Sequence, residues 1–123
     1  MKNRETTHTQ HPAMLAVGSR PDVLVWRQQS GLFHTRDGTP VRVGLPGMAD
    51  AGMIVAVTIT PEMVGRTVGI AVQPEFKTAA GRQRDTQLNW QRAVEQRGGI
   101  YSIVRTADDM VRLVDRVQRG DWR

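Results

Sequence analysis

A chain of 123 residues, 39% hydrophobic and 24% charged, has enough apolar material for one compact domain and too much to stay unfolded, since domains cluster at about 100–150 residues. It has no cysteine, which excludes disulfides, thiolate zinc sites and a cysteine nucleophile. Seventeen Lys and Arg against twelve Asp and Glu give a net charge of +5, and fifteen of the seventeen are arginine. The planar guanidinium suits bidentate phosphate contacts, so nucleic acid is a candidate partner, with an inert basic surface as the alternative.

The opening, residues 1–11, is polar and without period, so it is expected to be flexible or to lead into a short helix begun by Pro12. Lys2 and Arg4 are followed only by the short apolar run Ala13-Met14-Leu15-Ala16-Val17. No stretch approaches the ~18 residues of a membrane span, and a cytoplasmic protein with no membrane contact is expected. His8 and His11 are three apart but have no third ligand nearby, and are read as solvated.

Residues 23–26 form an apolar, β-branched strand; turns at Gly31 and Asp37-Gly38 and the run Val41-Arg42-Val43 then predict an antiparallel meander. Gly44-Leu45-Pro46-Gly47 is a tight loop leading to Asp50, at the start of a strand over about 53–59. Thr60-Pro61-Glu62 predicts a single capped turn, and a further strand spans about 67–77. Gln83, Gln87, Trp90 and Val94 then recur at helical spacing, which with Gly98-Gly99 as a stop predicts a helix over 84–97. Residues 100–104 make a short strand. Thr106 and Asp109 form a capping box for a last helix striped by Met110, Leu113, Val114 and Val117, with 119–123 a frayed tail.

Glu75-Phe76-Lys77 places a carboxylate and an ammonium on one strand face. Roughly nine of ten such triplets are solvated surface pairs, but this one closes the apolar run Val68-Gly69-Ile70-Ala71-Val72. Asp50 begins the neighbouring strand, and two carboxylates at strand ends can share a Mg²⁺ while Lys77 steers the attacking water or neutralises phosphate charge. Gln83 and Gln87 lie on the helix stripe that should face the sheet; each is either a buried hydrogen bonder for such a site or part of a solvated first turn. Arg27, Arg82, Gln83 and Arg84 flank the site in sequence and are the candidate DNA contacts. Arg119-Gly120-Asp121 is read as part of the tail, Ser30 and Ser102 lack a histidine placed to activate them, and six aromatic residues are too few for a base-stacking platform.

These strings resemble a known family. Gly47-Met48-Ala49-Asp50, Glu75-Phe76-Lys77-Thr78, Gly81-Arg82-Gln83, Gln87, Arg97-Gly98-Gly99-Ile100-Tyr101 and Arg105-Thr106, with Trp26-Arg27-Gln28-Gln29-Ser30-Gly31 and Gly44-Leu45-Pro46-Gly47 upstream, look like the VRR-NUC (virus-type replication-repair nuclease) branch of the PD-(D/E)XK superfamily, over about residues 20–117. The resemblance implies an α/β, restriction-endonuclease-like fold with a mixed central sheet flanked by helices, the whole chain being one domain. It also implies Mg²⁺- or Mn²⁺-dependent hydrolysis of DNA and homodimers acting on branched DNA such as Holliday junctions. Asp50 and Glu75 then match the metal carboxylates, Lys77 the catalytic lysine and Gln87 the helix glutamine; Glu5 is the candidate for the glutamate that the family carries on its early helix.

The chain departs from the family pattern at Ala51, where a bulky aliphatic residue is usual, and at Gln28, where Asn is frequent. It departs also at Pro74, whose missing N–H implies a bulge or a strand edge. The alternative function is a basic, non-catalytic DNA-binding or regulatory module.

Overall fold

The structure, a computed structural model, describes residues 5–123; residues 1–4 of the segment expected to be flexible lie outside it. The fold is mixed α/β, with three α-helices and six strands among the described residues. The strands pair two by two where one central sheet is expected. The chain forms two compact units, divided between Met53 and Ile54.

The first unit is helical from Glu5. A π-helical stretch, Thr6–Gln10, runs directly into α1 (His11–Gly18). Helix therefore begins before Pro12, and the wider winding ahead of it accommodates a ring that would strike the carbonyl of a continuing α-turn. α1 packs on β1 (Val23–Arg27), whose Val23 is buried. β2 (Gly31–His34) and β3 (Pro40–Val43) form an antiparallel hairpin with Phe33 opposite Val41. At its turn Asp37 accepts hydrogen bonds from the hydroxyls of Thr35 and Thr39 and from the Thr39 N–H.

The three-strand meander is corrected at its first strand, because β1 pairs with β4 (Ala51–Val55) and leaves the hairpin to itself. β1 is apolar on both faces and needs cover on both, whereas every residue of β3 is exposed. β4 begins and ends earlier than expected. Val57 and Ile59, beyond it, are exposed in unpaired backbone, since β-branched residues favour extension but only a partner makes a ladder.

Beyond the end of β4 the second unit has a 3-10 turn, Pro61–Met63, and continues as β5 (Val72–Phe76), α2 (Asp85–Gln96), β6 (Ile100–Val104) and α3 (Ala107–Gln118). Thr60 makes no side-chain cap on that turn. β5 and β6 are parallel, with Gln73 opposite Tyr101 and Glu75 opposite Ile103. The ladder is unbroken, so Pro74 causes no bulge. The Ile100 N–H donates to the Ala71 carbonyl and the Lys77 N–H to that of Val104; by alternation Pro74 turns its missing donor away from β6, at the strand edge.

Both helices pack on β6. Ile100, Val104 and Leu113 form a core with Ile70, Val72, Met110 and Val117, on the face of α3; on the face of α2, Val94 is fully buried. Of the expected α3 stripe, Val114 stays exposed. The Thr106–Asp109 capping box is present: the Asp109 N–H donates to the Thr106 hydroxyl at 3.0 Å and the Thr106 N–H to the Asp109 carboxylate at 3.1 Å.

The start of the tail carries a helix cap. Gly120 takes a left-handed conformation (φ 82°), its N–H donates to the Val117 carbonyl and that of Asp121 to Arg116, the Schellman pattern, and the Trp122 indole donates to the Val117 carbonyl at 3.0 Å. No helix among the described residues is long and apolar enough to cross a membrane.

Candidate active site

The chemistry-bearing residues divide between the two units. In the second, parallel pairing puts Gln73, Glu75, Tyr101 and Ile103 on the α2 face of the β5–β6 pair. Glu75 is held there by two hydrogen bonds and an ion pair. Gln87 Nε2 donates to Oε2 at 2.9 Å, the Tyr101 hydroxyl donates to Oε1 at 3.1 Å, and Lys77 Nζ stands 3.7 Å from Oε2. The Lys77 side chain is only 12% exposed and that of Glu75 26% exposed, so the pair is sheltered beyond what a solvated surface pair would be.

Gln87 does two things at once. Its Oε1 accepts the Arg84 N–H at 2.9 Å, one of the N–H groups that the start of α2 leaves without a helical partner, which commits Nε2 to Glu75. The stripe reading of α2 therefore holds from Gln87 onward, and that amide is fully partnered. Gln83 lies just ahead of the helix and donates to Gln91 Oε1 at 2.8 Å, while the Trp90 indole donates to Gln73 at 3.3 Å. Tyr101, 8% exposed, has its phenol pushed above the ordinary value by burial first; the Gln83 amide opposes this, and Glu75 adds to the rise.

Arg82 and Arg84 are exposed on the segment leading into α2. The loop before them is clamped by Arg105, whose Nη1 donates to the carbonyls of Thr78 at 2.6 Å and Gly81 at 2.8 Å.

In the first unit Asp50 and Glu5 line one cavity of about 460 Å³, with Arg27, Gln28, Ser30 and Phe33 in its wall. Gln28 fixes the approach to Asp50: its N–H donates to the Asp50 carbonyl at 2.9 Å and its amide to the Ala49 carbonyl at 3.2 Å. Gly52 admits this arrangement, since a Cβ there would lie 2.6 Å from the Trp26 ring and 2.7 Å from Gln28 Oε1.

The structure thus joins Glu75, Lys77 and Gln87 in one cluster and sets Asp50, Glu5 and Arg27 around one cavity. Sequence reasoning missed Tyr101 and Gln28 as site residues. Period two along the second strand of a parallel pair was the available signal for Tyr101; Gln28 had none beyond its place in the family string. Among the described residues no three His, Asp or Glu side chains gather as a metal-holding group. Compared with models of protein families, with curated proteins and with solved structures, the chain matches none.

Proposed function

We propose that the protein is a metal-dependent endonuclease of the PD-(D/E)XK type, of the VRR-NUC branch, which hydrolyses phosphodiester bonds in branched DNA such as Holliday junctions. It would act as a homodimer in the cytoplasm of a bacterium or a phage-infected host. The observation that carries the reading is the sheltered Glu75–Lys77 pair with Gln87 bonded to the same carboxylate. A half-buried lysine beside a carboxylate at the end of a strand gives up part of its hydration and is suited to stabilising charge on a phosphate under attack.

The donors present fit a hard cation, which takes one or two carboxylates with waters and phosphate oxygens and needs no histidine or thiolate. Glu75 is the carboxylate that the cluster offers to Mg²⁺ or Mn²⁺; Asp50, with Glu5 on its cavity, is a metal acid by the family resemblance alone. The bound cation would supply Lewis-acid polarisation of the scissile phosphate. Lys77 holds positive charge toward the reacting oxygens; Gln87 keeps the carboxylate in place. Arg27, Arg82, Gln83 and Arg84 are assigned to the DNA backbone.

Cleavage of duplex, flap and four-way junction DNA, with Mg²⁺ and with chelator, tests the reading. Metal-dependent cutting of the junction is expected. Binding without cutting in any metal overturns it in favour of a non-catalytic module. Light scattering with and without junction DNA tests the dimer, which supplies the two symmetric cuts that resolving a junction requires.

A further inference from the structure

On the side of the β5–β6 pair away from Glu75, a concave groove of about 300 Å³ lies between β6 and α3, and Arg105, Arg112 and Arg116 converge on it around Ser102. The acid in its wall, Asp109, is already committed. One carboxylate oxygen accepts the N–H groups of Arg105 and Thr106 as the cap of α3, and the other pairs with Arg112 at 2.5 Å. Arg105 spends its donors on the neutral carbonyls of the loop after β5, and Arg116 donates to the main-chain oxygen of Arg123. Asp121 stands near Arg116 but is bonded to Arg123 at 3.0 Å. Among the residues that line the groove, three guanidinium groups stand against one carboxylate. Arg112 and Arg116 sit four apart on one helix face, a spacing that repels unless an anion lies between them.

We propose that this groove is a second nucleic-acid backbone site, in which Arg112 and Arg116 grip phosphodiester groups over the Ser102 hydroxyl. Their forked donors match phosphate bidentately. Because α3 and Glu75 lie on opposite faces of the β5–β6 pair, the groove takes an arm of DNA other than the one offered to Glu75, which a branched molecule has and a short duplex lacks. The identity of the polyanion as DNA rests on the nuclease reading; the anion site itself does not.

The test is the salt dependence of binding of a fluorescent four-way junction to the full chain in EDTA. Arg112→Gln with Arg116→Gln should lower the log–log slope by about 1.8 and weaken binding at least tenfold at ~0.1 M salt, at about 0.9 per phosphate contact. Arg112→Lys with Arg116→Lys keeps the charge and should keep the slope. An unchanged slope in the Gln variant, equal loss in both variants, or no junction binding by the wild type overturns the proposal. So does calorimetric binding of inorganic phosphate that the Gln variant loses while its junction slope stays intact, which would make this a site for free phosphate. Cutting with Mg²⁺ is scored on the same preparations: slope loss in a chain that never cuts removes the nuclease reading and leaves the groove standing.

Discussion

Gln87 donates to Glu75 across 2.9 Å while its other amide atom caps the helix that carries it. The start of α2 and the orientation of the carboxylate are thus set by one side chain. Gln87→Ala should lose both, costing about 1 kcal/mol of cap, or a fall of about 4 °C in Tm, together with at least tenfold in cleavage. Gln87→Glu retains the acceptor for Arg84 but removes the donor and sets a second carboxylate beside Glu75. Melting curves should therefore separate the two variants more than cleavage rates do; equal Tm losses would deny the capping role.

Lys77→Met and Glu75→Gln keep the volume and remove the charge. Each should reduce cleavage on the order of 100-fold or more while leaving junction affinity in EDTA within a few fold. Either variant cutting at the wild-type rate removes the site assignment.

Asp50→Asn takes away a charge that a hard cation needs. Calorimetric titration with Mg²⁺ should show a weaker isotherm than the wild type. Since the link to Gln28 runs through the Asp50 backbone carbonyl, the fold around the loop should survive, and unchanged circular dichroism is the control.

The chain has one tyrosine, so absorbance of the phenolate reports Tyr101 alone. Its titration should lie above the ordinary value of 10.0, and Glu75→Gln should move it down, though not the whole way, because burial is the larger cause. The folded protein holds the phenolic proton more tightly than the unfolded chain does. The stabilisation is therefore complete below pH about 10 and is lost as pH rises through the raised value. A titration unmoved by Glu75→Gln would break the contact between them.

Asp37 is the acid-sensitive counterpart. Thr35 and Thr39 hold its carboxyl down to about 2, so its contribution to the hairpin is present above the unfolded value near 3.8 and disappears as pH falls toward 2. Carboxyl chemical shifts against pH would follow it directly. Thr39→Val should raise the titration point, since it removes one of the donors.

Local signals were read closely and pairing was not. The strand over 100–104 and the capping box of α3 match residue for residue, because a cap and an apolar stripe are written within a few neighbouring positions. The partner of β1 and the short extents of β4 and β5 depend on what lies alongside, and a run of Val and Ile carries no address for its neighbour. The candidate site divides in the same way. Glu75 and Lys77 share a face by alternation along one strand, which is visible in three letters, and Gln87 announces itself as an amide on an apolar stripe. The Tyr101 contact needs the register between β5 and β6, and the cavity shared by Glu5 and Asp50 needs a helix to start ahead of a proline.

α2 returns to β6 through Arg97, Gly98 and Gly99. Gly98 is left-handed (φ 83°), and a Cβ on Gly99 would lie 2.7 Å from the Val94 side chain. This connection works as a ruler. Gain or loss of one residue there would exchange the two faces of β6, carrying Tyr101 to the α3 side and Ser102 toward Glu75. The Glu75 face and the groove behind it are thus bound to a single count of backbone units.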